Sequence, residues 1–261
     1  VKIALVDSGI GLLAAAAAVR RLRPDADLLL SCDPPGMPWG PRAPEDIAAR
    51  ALAAAEAAAG YGPGALIVAC NTATVHGLPV LRSRFEPGLP VVGTVPAIKP
   101  AAAGGGPVAI WATPGTTGSP YQRDLIARFA GSAEVTEVPC PGLADAVEHA
   151  DERAIDGAIA AAAALTPPEV TTVVLGCTHY ELVAERIRAA LQQPGLPPLV
   201  LHGSAGAVAA QALRRLGEHP APEAPATGGL TVLLSGREGG LPEPAKAYAD
   251  GRLLTAASAA R

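Results

Sequence analysis

Short apolar runs alternate with alanine-rich, helix-patterned stretches along most of this chain. Residues 1–6 form an apolar run broken only by Lys2, the pattern of a buried parallel strand. Asp7-Ser8-Gly9-Ile10-Gly11 follows as a turn, and residues 12–22 have helical composition. Residues 26–31 read as a second strand. Residues 33–41 read as a loop, because prolines at 34, 35, 38 and 41 and glycines at 36 and 40 oppose regular structure. A long helix over 44–59 leads to a strand at 65–68, and residues 91–96 close one α/β unit. The glycine-rich stretch 103–107 reads as a linker, after which the pattern starts again. Strand 108–112, a hydroxyl-rich turn at 113–119, helix 120–129, strand 135–139, helix 154–165 and strand 173–175 form the second unit. A further strand at 199–202, a helix at 205–216, a Pro-rich connection at 220–229 and a late strand at 230–234 follow, with a helical or frayed tail from 241. The predicted fold class is α/β, with two similar doubly wound units and parallel sheets. Ligands of such sheets bind at the carboxyl ends of the strands.

Composition narrows the picture. The 261 residues suffice for one large domain or two small ones, with a sizeable core. Much of the 49% hydrophobic content is alanine. No apolar run approaches the roughly 20 residues needed to cross a bilayer, so no membrane partner is expected. The chain opens directly on a strand, so no signal peptide is expected. A net charge of −4 without a basic cluster argues against a nucleic-acid partner. Four scattered cysteines, Cys32, Cys70, Cys140 and Cys177, make neither a Cys-x-x-Cys pair nor a disulfide framework, which points to a reducing, cytoplasmic setting.

Two of those cysteines occupy matched positions. Val68-Ala69-Cys70-Asn71-Thr72-Ala73-Thr74 and Leu175-Gly176-Cys177-Thr178-His179-Tyr180 each end a β-type run in a cysteine with small polar followers. Inverting a carbon centre needs a base on one face and an acid on the other, and two cysteines supply that symmetrically as thiolate and thiol. The pattern therefore predicts a two-thiol racemase of a small amino acid. Asp7 and His179 are candidate managers of thiol ionisation. Asn71, Thr72, Thr74, Thr113, Thr116, Thr117 and Thr178 offer neutral donors for carboxylates. Each has a plainer reading: a cysteine at a strand end is commonly a small buried hydrophobe, Asp7 suits a turn or helix cap, His179 suits a structural role, and Trp39 suits a core or lid. Cys32 and Cys140 keep the plain reading. Cys177-x-His179 lacks a second ligand pair, so no metal is expected. The turn at 7–11 lacks the third glycine of a dinucleotide loop and any Gly-Lys-Ser/Thr, so it gives little support for cofactor phosphate binding.

Asp7-Ser8-Gly9, Pro38-Trp39-Gly40, Ala69-Cys70-Asn71-Thr72-Ala73-Thr74, Val92-Gly93-Thr94-Val95-Pro96-Ala97, Ala112-Thr113-Pro114-Gly115-Thr116, Cys140-Pro141-Gly142-Leu143 with Glu148, and Gly176-Cys177-Thr178-His179-Tyr180 come in the order seen in the glutamate racemase family. The chain resembles that family, within the aspartate/glutamate racemase superfamily, over residues 1 to about 215. The resemblance implies cofactor-independent interconversion of L- and D-glutamate, supplying D-glutamate for peptidoglycan. It implies that Cys70, assisted by Asp7, acts on the D-enantiomer. Cys177, assisted by His179 with Glu148 nearby, would act on the L-enantiomer. Ser8, Asn71, Thr72, Thr113, Thr116 and Thr178 match substrate contacts, as do Trp39 and Gly40 in their loop. The implied architecture is two pseudo-symmetric domains, residues 1–97 with about 205–261 and residues 98–204, with the site at their interface, commonly in a homodimer. The chain departs from the family pattern at Leu12 (usually Gly), Trp39 (usually Tyr), Glu181 (usually Pro) and 202–204 (usually an Asp-containing turn). Alternatives are a two-thiol racemase of aspartate or another small substrate such as a hydantoin, a non-catalytic amino-acid-binding or moonlighting protein, and a Cys–His hydrolase.

Overall fold

A computed structural model describes residues 1–195 and 197–259, the last three through their backbone. The chain divides into two compact units, Val1–Thr94 with Ala205–Arg261, and Val95–Ser204.

The first unit is built on strands β1 (Lys2–Asp7), β2 (Asp27–Cys32), β3 (Ala65–Val68) and β4 (Val91–Gly93) and helices α1 (Leu13–Leu22), α2 (Pro44–Ala59) and α3 (Asn71–Phe85). The second contains α4 (Ile98–Ala102), β5 (Val108–Ala112), α5 (Pro120–Phe129), β6 (Val135–Pro139), α6 (Leu143–Glu148), α7 (Glu152–Leu165), β7 (Thr172–Leu175), α8 (Thr178–Glu181), α9 (Ala184–Leu191) and β8 (Val200–His202). The chain then completes the first unit with α10 (Ala205–Arg215), β9 (Leu230–Leu234), β10 (Arg237–Gly239) and α11 (Ala249–Ala259).

The first sheet has the order β10-β9-β2-β1-β3-β4, parallel except for β10 against β9. The second has the order β6-β5-β7-β8, all parallel. The segment β2-β1-β3-β4 and the whole of β6-β5-β7-β8 therefore share one topology, the doubly wound order with its switch point beside the first strand. In the first unit Ala4, Val6, Leu66 and Val68 pack under Ile47, Ala51, Ala55 and Ala58 of α2 and Ala73 and Leu81 of α3. Ile3, Leu5 and Ile67 alternate with them along the strands and are fully buried too, as expected for a sheet covered on both faces. In the second unit Ile98 and Ala101 of α4 and Leu125 of α5 cover Val108, Ile110, Ala112 and Val174. Alanine at the helix contacts lets the helix backbones approach the sheet closely.

Some elements differ from the sequence expectation. Asn71–Phe85, where the sequence pattern predicts no element, is a helix of 15 residues. Its centre, Val75-His76-Gly77-Leu78-Pro79, carries no amphipathic period, and it contains an internal proline. The loop at 33–41 holds a short 3-10 turn, Pro34–Gly36. Gly104–Gly106 lie within the second unit, between α4 and β5. No helix among the described residues is long and apolar enough to cross a membrane.

One buried cation ties the first unit together. Arg20, 3% exposed, donates from Nη1 to the Pro24 and Ala26 carbonyls (3.0 and 2.7 Å) and from Nη2 to the Gly229 carbonyl (2.8 Å). It joins α1 to the entries of β2 and β9. Replacing Arg20 by Met leaves those carbonyls without their charged donor, and we expect a loss of about 3 kcal/mol in urea unfolding. A loss below about 1 kcal/mol would show that the carbonyls find other donors.

Candidate active site

Both matched cysteines stand two residues beyond a strand and form the N-cap of the helix that follows: Cys70 after β3, Cys177 after β7. The residue before each makes an equivalent backbone bond. The Ala69 N–H donates to the Val6 carbonyl at 2.9 Å, and the Gly176 N–H donates to the Trp111 carbonyl at 2.8 Å. Each cysteine is thereby held beside the carboxyl end of its unit's first strand. At Gly176 the approach is too close for a side chain, since a Cβ would sit 2.8 Å from the Trp111 carbonyl oxygen.

In the first unit Asp7 ends β1, 1% exposed, and Oδ1 accepts the Ser8 N–H at 2.6 Å and the Ser8 hydroxyl at 3.3 Å. Cys70 is 9% exposed, and its Sγ accepts the Ala73 N–H at 3.5 Å. A backbone donor at the start of a long helix favours negative charge on that sulfur. Thr94 and Thr74 brace the strand end: the Thr94 N–H donates to Thr74 Oγ1 (2.9 Å) and the Thr94 hydroxyl to the Val68 carbonyl (2.8 Å). Asn71 is buried and Thr72 half-buried on the first turn of α3.

In the second unit His179 links the thiol to a carboxylate. Its Nε2 lies 2.8 Å from Glu148 Oε2 and its Nδ1 lies 3.8 Å from Cys177 Sγ. Both the imidazole and the Glu148 side chain are largely buried. A carboxylate accepts only, so Nε2 carries the proton and Nδ1 of the neutral ring is left to accept from the Cys177 S–H. Thr113 and Thr116 follow β5 with their hydroxyls 3.2 Å apart, and Thr178 is buried beside His179.

The sequence-predicted residues therefore fall into two clusters: Asp7, Ser8, Cys70, Asn71 and Thr72 at strand ends of the first unit, and Thr113, Thr116, Glu148, Cys177, Thr178 and His179 in the second. Trp39 and Gly40 stand apart in character. The Trp39 ring is buried in the core cluster that includes Cys70, and its indole N–H donates to Asp33 Oδ2 at 3.1 Å, while Gly40 is exposed. Asp33 is fixed in turn by Arg50 at 3.0 Å. Sequence reading missed Asp33 and Arg50; the only signal was a carboxylate six residues before the tryptophan.

Cys32 and Cys140 are buried, with sulfurs 3.5 Å from the Gly9 and Val138 carbonyls. Burial, and secondarily the proximity of Cys177, push the Cys140 thiol up to about 12. No group of three His, Cys, Asp or Glu among the described residues could hold a metal ion.

Each doubly wound unit presents a thiol with its own polar support at the carboxyl end of its parallel sheet, an arrangement suited to acid–base chemistry. The Asp/Glu/Hydantoin racemase family model matches residues 12–210. The glutamate racemase of Roseiflexus sp. (strain RS-1) is 40% identical over 195 residues, covering 72% of this chain and 70% of that protein. That of Escherichia coli O139:H28 is 39% identical over 233 residues, covering 84% and 77%. The crystal structure of Escherichia coli glutamate racemase in complex with L-glutamate and the activator UDP-MurNAc-Ala matches with a TM-score of 0.73 at 31% identity, over 84% of each chain. The chain belongs to the Asp/Glu/Hydantoin racemase family and is a racemase.

The different settings of the thiols predict their reactivity. Burial keeps the Cys140 thiol protonated near pH 8, and only thiolate alkylates. Brief iodoacetamide treatment of the folded protein, read by peptide mass spectrometry, should label half-buried Cys177 and spare Cys140 and Cys32. Faster labelling of Cys140 would contradict this assignment.

Proposed function

We propose that this racemase interconverts L- and D-glutamate by a two-thiol mechanism, with Cys70 and Cys177 as acid and base on opposite faces of Cα. The observation that carries the reading is the equivalence of the two cysteines, each two residues beyond the strand beside its unit's first strand and each with a separate polar support. In the L-to-D direction the Cys177 thiolate takes the α-proton and the Cys70 thiol gives its proton to the other face. Cys177 ends as thiol and Cys70 as thiolate, the state required for the reverse reaction. Asp7 assists Cys70; His179, oriented by Glu148, exchanges the proton with Cys177. The hydroxyl and amide groups of Ser8, Asn71, Thr72, Thr113, Thr116 and Thr178 bind the substrate carboxylates without a competing cation. Trp39, whose N–H is engaged by Asp33, serves this site through the core cluster it shares with Cys70 rather than through a substrate hydrogen bond. The same reading takes the enzyme to act without a cofactor, in the cytoplasm and as a homodimer, and to supply D-glutamate for peptidoglycan.

Enantiomers have equal free energy in water, so the equilibrium constant is one and kcat/KM must be the same in both directions. Any variant therefore loses both directions together. We expect Cys70→Ala and Cys177→Ala each to lower kcat/KM about a thousandfold or more, for either enantiomer, by polarimetry on purified protein without added cofactor. A wild-type protein inert on both glutamate enantiomers but active on aspartate or a hydantoin would move the assignment to another substrate of the family. Retention of activity by either alanine variant would remove the two-thiol mechanism.

Glu148→Gln separates orientation from packing. The amide offers His179 Nε2 a donor as readily as an acceptor, so the ring loses its fixed tautomer. We expect kcat to fall about tenfold to a hundredfold with little change in KM. Unchanged kcat would show that Glu148 does not orient the imidazole during turnover.

A further inference from the structure

Helix α8 is a single turn of four residues, too short to hold its own shape, since one turn fixes several dihedrals for one hydrogen bond. Yet it carries Thr178 and His179 directly after Cys177. Its first end is clamped where Gly176 meets the Trp111 carbonyl. Its last residue, Glu181, reaches across to the segment that follows β8. Glu181 Oε1 accepts both the Ser204 N–H and the Ser204 hydroxyl, each at 2.8 Å. The path runs directly past Gly203: a Cβ there would fall within the Glu181 side chain, 2.6 Å from Cδ and 3.1 Å from Cγ. Real Cβ atoms do not approach so closely, so a side chain at 203 would make the Glu181 carboxylate shift from its place beside Ser204. Two departures from the family pattern, the acid at 181 and the turn at 202–204, thus meet in one contact.

We propose that Glu181 is a positioning residue for the Cys177–His179 pair, and that Gly203 is the partner position that admits its carboxylate. The Glu181–Ser204 bonds fix the C-terminal end of α8, two residues from His179, and so fix where Nδ1 points relative to Cys177 Sγ. Ser204 is also the last residue of the second unit, directly before α10. The anchor therefore ties the catalytic turn to the place where the chain leaves that unit. The role in turnover rests on the two-thiol reading above; the Glu181–Gly203 contact itself does not.

The test is a double-mutant cycle with Glu181→Ala, Gly203→Ala and the double variant, with Glu181→Gln as the conservative change that keeps an acceptor for Ser204. Glutamate racemisation gives kcat and KM, and thermal melting is followed on the same samples. We expect Glu181→Ala to lower kcat about tenfold with KM nearly unchanged, as misplacement of a reacting group does. Gly203→Ala should produce a similar loss, the double variant should be no worse than Glu181→Ala alone, and Glu181→Gln should stay within about threefold of wild type. Losses that multiply in the double variant, an effect on KM alone, or full kcat in Glu181→Ala would overturn the proposal. A fall in melting temperature with kcat intact would also overturn it, reducing Glu181 to a stabilising contact. If Glu181→Ala does not fold, Gly203→Ala against Glu181→Gln/Gly203→Ala decides the coupling. If wild type does not racemise glutamate, the two-thiol reading of substrate fails separately, and non-additive melting temperatures still decide whether 181 and 203 share one contact.

Discussion

In each unit a cysteine is suspended beyond a strand whose last backbone donor bonds to the strand beside it. Ala69 donates to Val6 and Gly176 to Trp111, and the cysteine comes next in both cases. These two bonds extend the parallel ladders of β1 with β3 and of β5 with β7 by one step. They decide which atoms surround each sulfur, because the end of a parallel ladder is also where the neighbouring strand releases its chain into a turn. Asp7 and Ser8 leave β1 there, and Thr113 leaves β5. A shift of one residue in either register would exchange the faces of every side chain on the strand and remove the thiol from its polar neighbours.

Equivalent backbones carry unequal support. Cys70 meets a helix N-terminus through the Ala73 N–H, beside a unit that places Asp7 at the end of β1. The residue corresponding to Asp7 in the second unit is Ala112, and the polar support comes instead from His179 and Glu148. A backbone N–H can only donate, and it favours charge on sulfur. An imidazole with one nitrogen fixed by a carboxylate can either accept or return a proton. The thiols thus meet the same chemical demand by different means, and in the proposed cycle they alternate between thiol and thiolate with each inversion.

The sequence made the strands legible because buried parallel strands are continuous apolar runs, as at 65–68 and 108–112. The matched cysteines were legible because a strand end followed by small polar residues recurs. Helix α3 was not, since Gly77 and Pro79 interrupt the period on which such a reading relies, and its stability comes from packing against α2. The bond between His179 and Glu148 spans 31 residues and has no local signature; only the resemblance pointed to it. Trp39 read as a core or lid aromatic, and the resemblance added a substrate contact. Its ring is buried in the core and its indole N–H meets Asp33, which Arg50 of α2 also holds, a partnership that no local pattern encodes. Glu181 and the turn at 202–204 read as separate departures, and only the side-by-side placement of Glu181 and Gly203 shows them to be one contact.

The most direct test of two opposed thiols is the fate of the α-hydrogen. Pure L-glutamate would be incubated with the enzyme in deuterated water, and both enantiomers separated at low conversion and analysed by mass spectrometry. Two thiols predict D-glutamate fully deuterated at Cα and recovered L-glutamate still carrying protium, because the acid that completes inversion has exchanged with solvent while the base returns the proton it took. Protium retained in the product, or deuterium appearing equally in recovered substrate and product, would mean that a single group serves both faces, and would contradict the account.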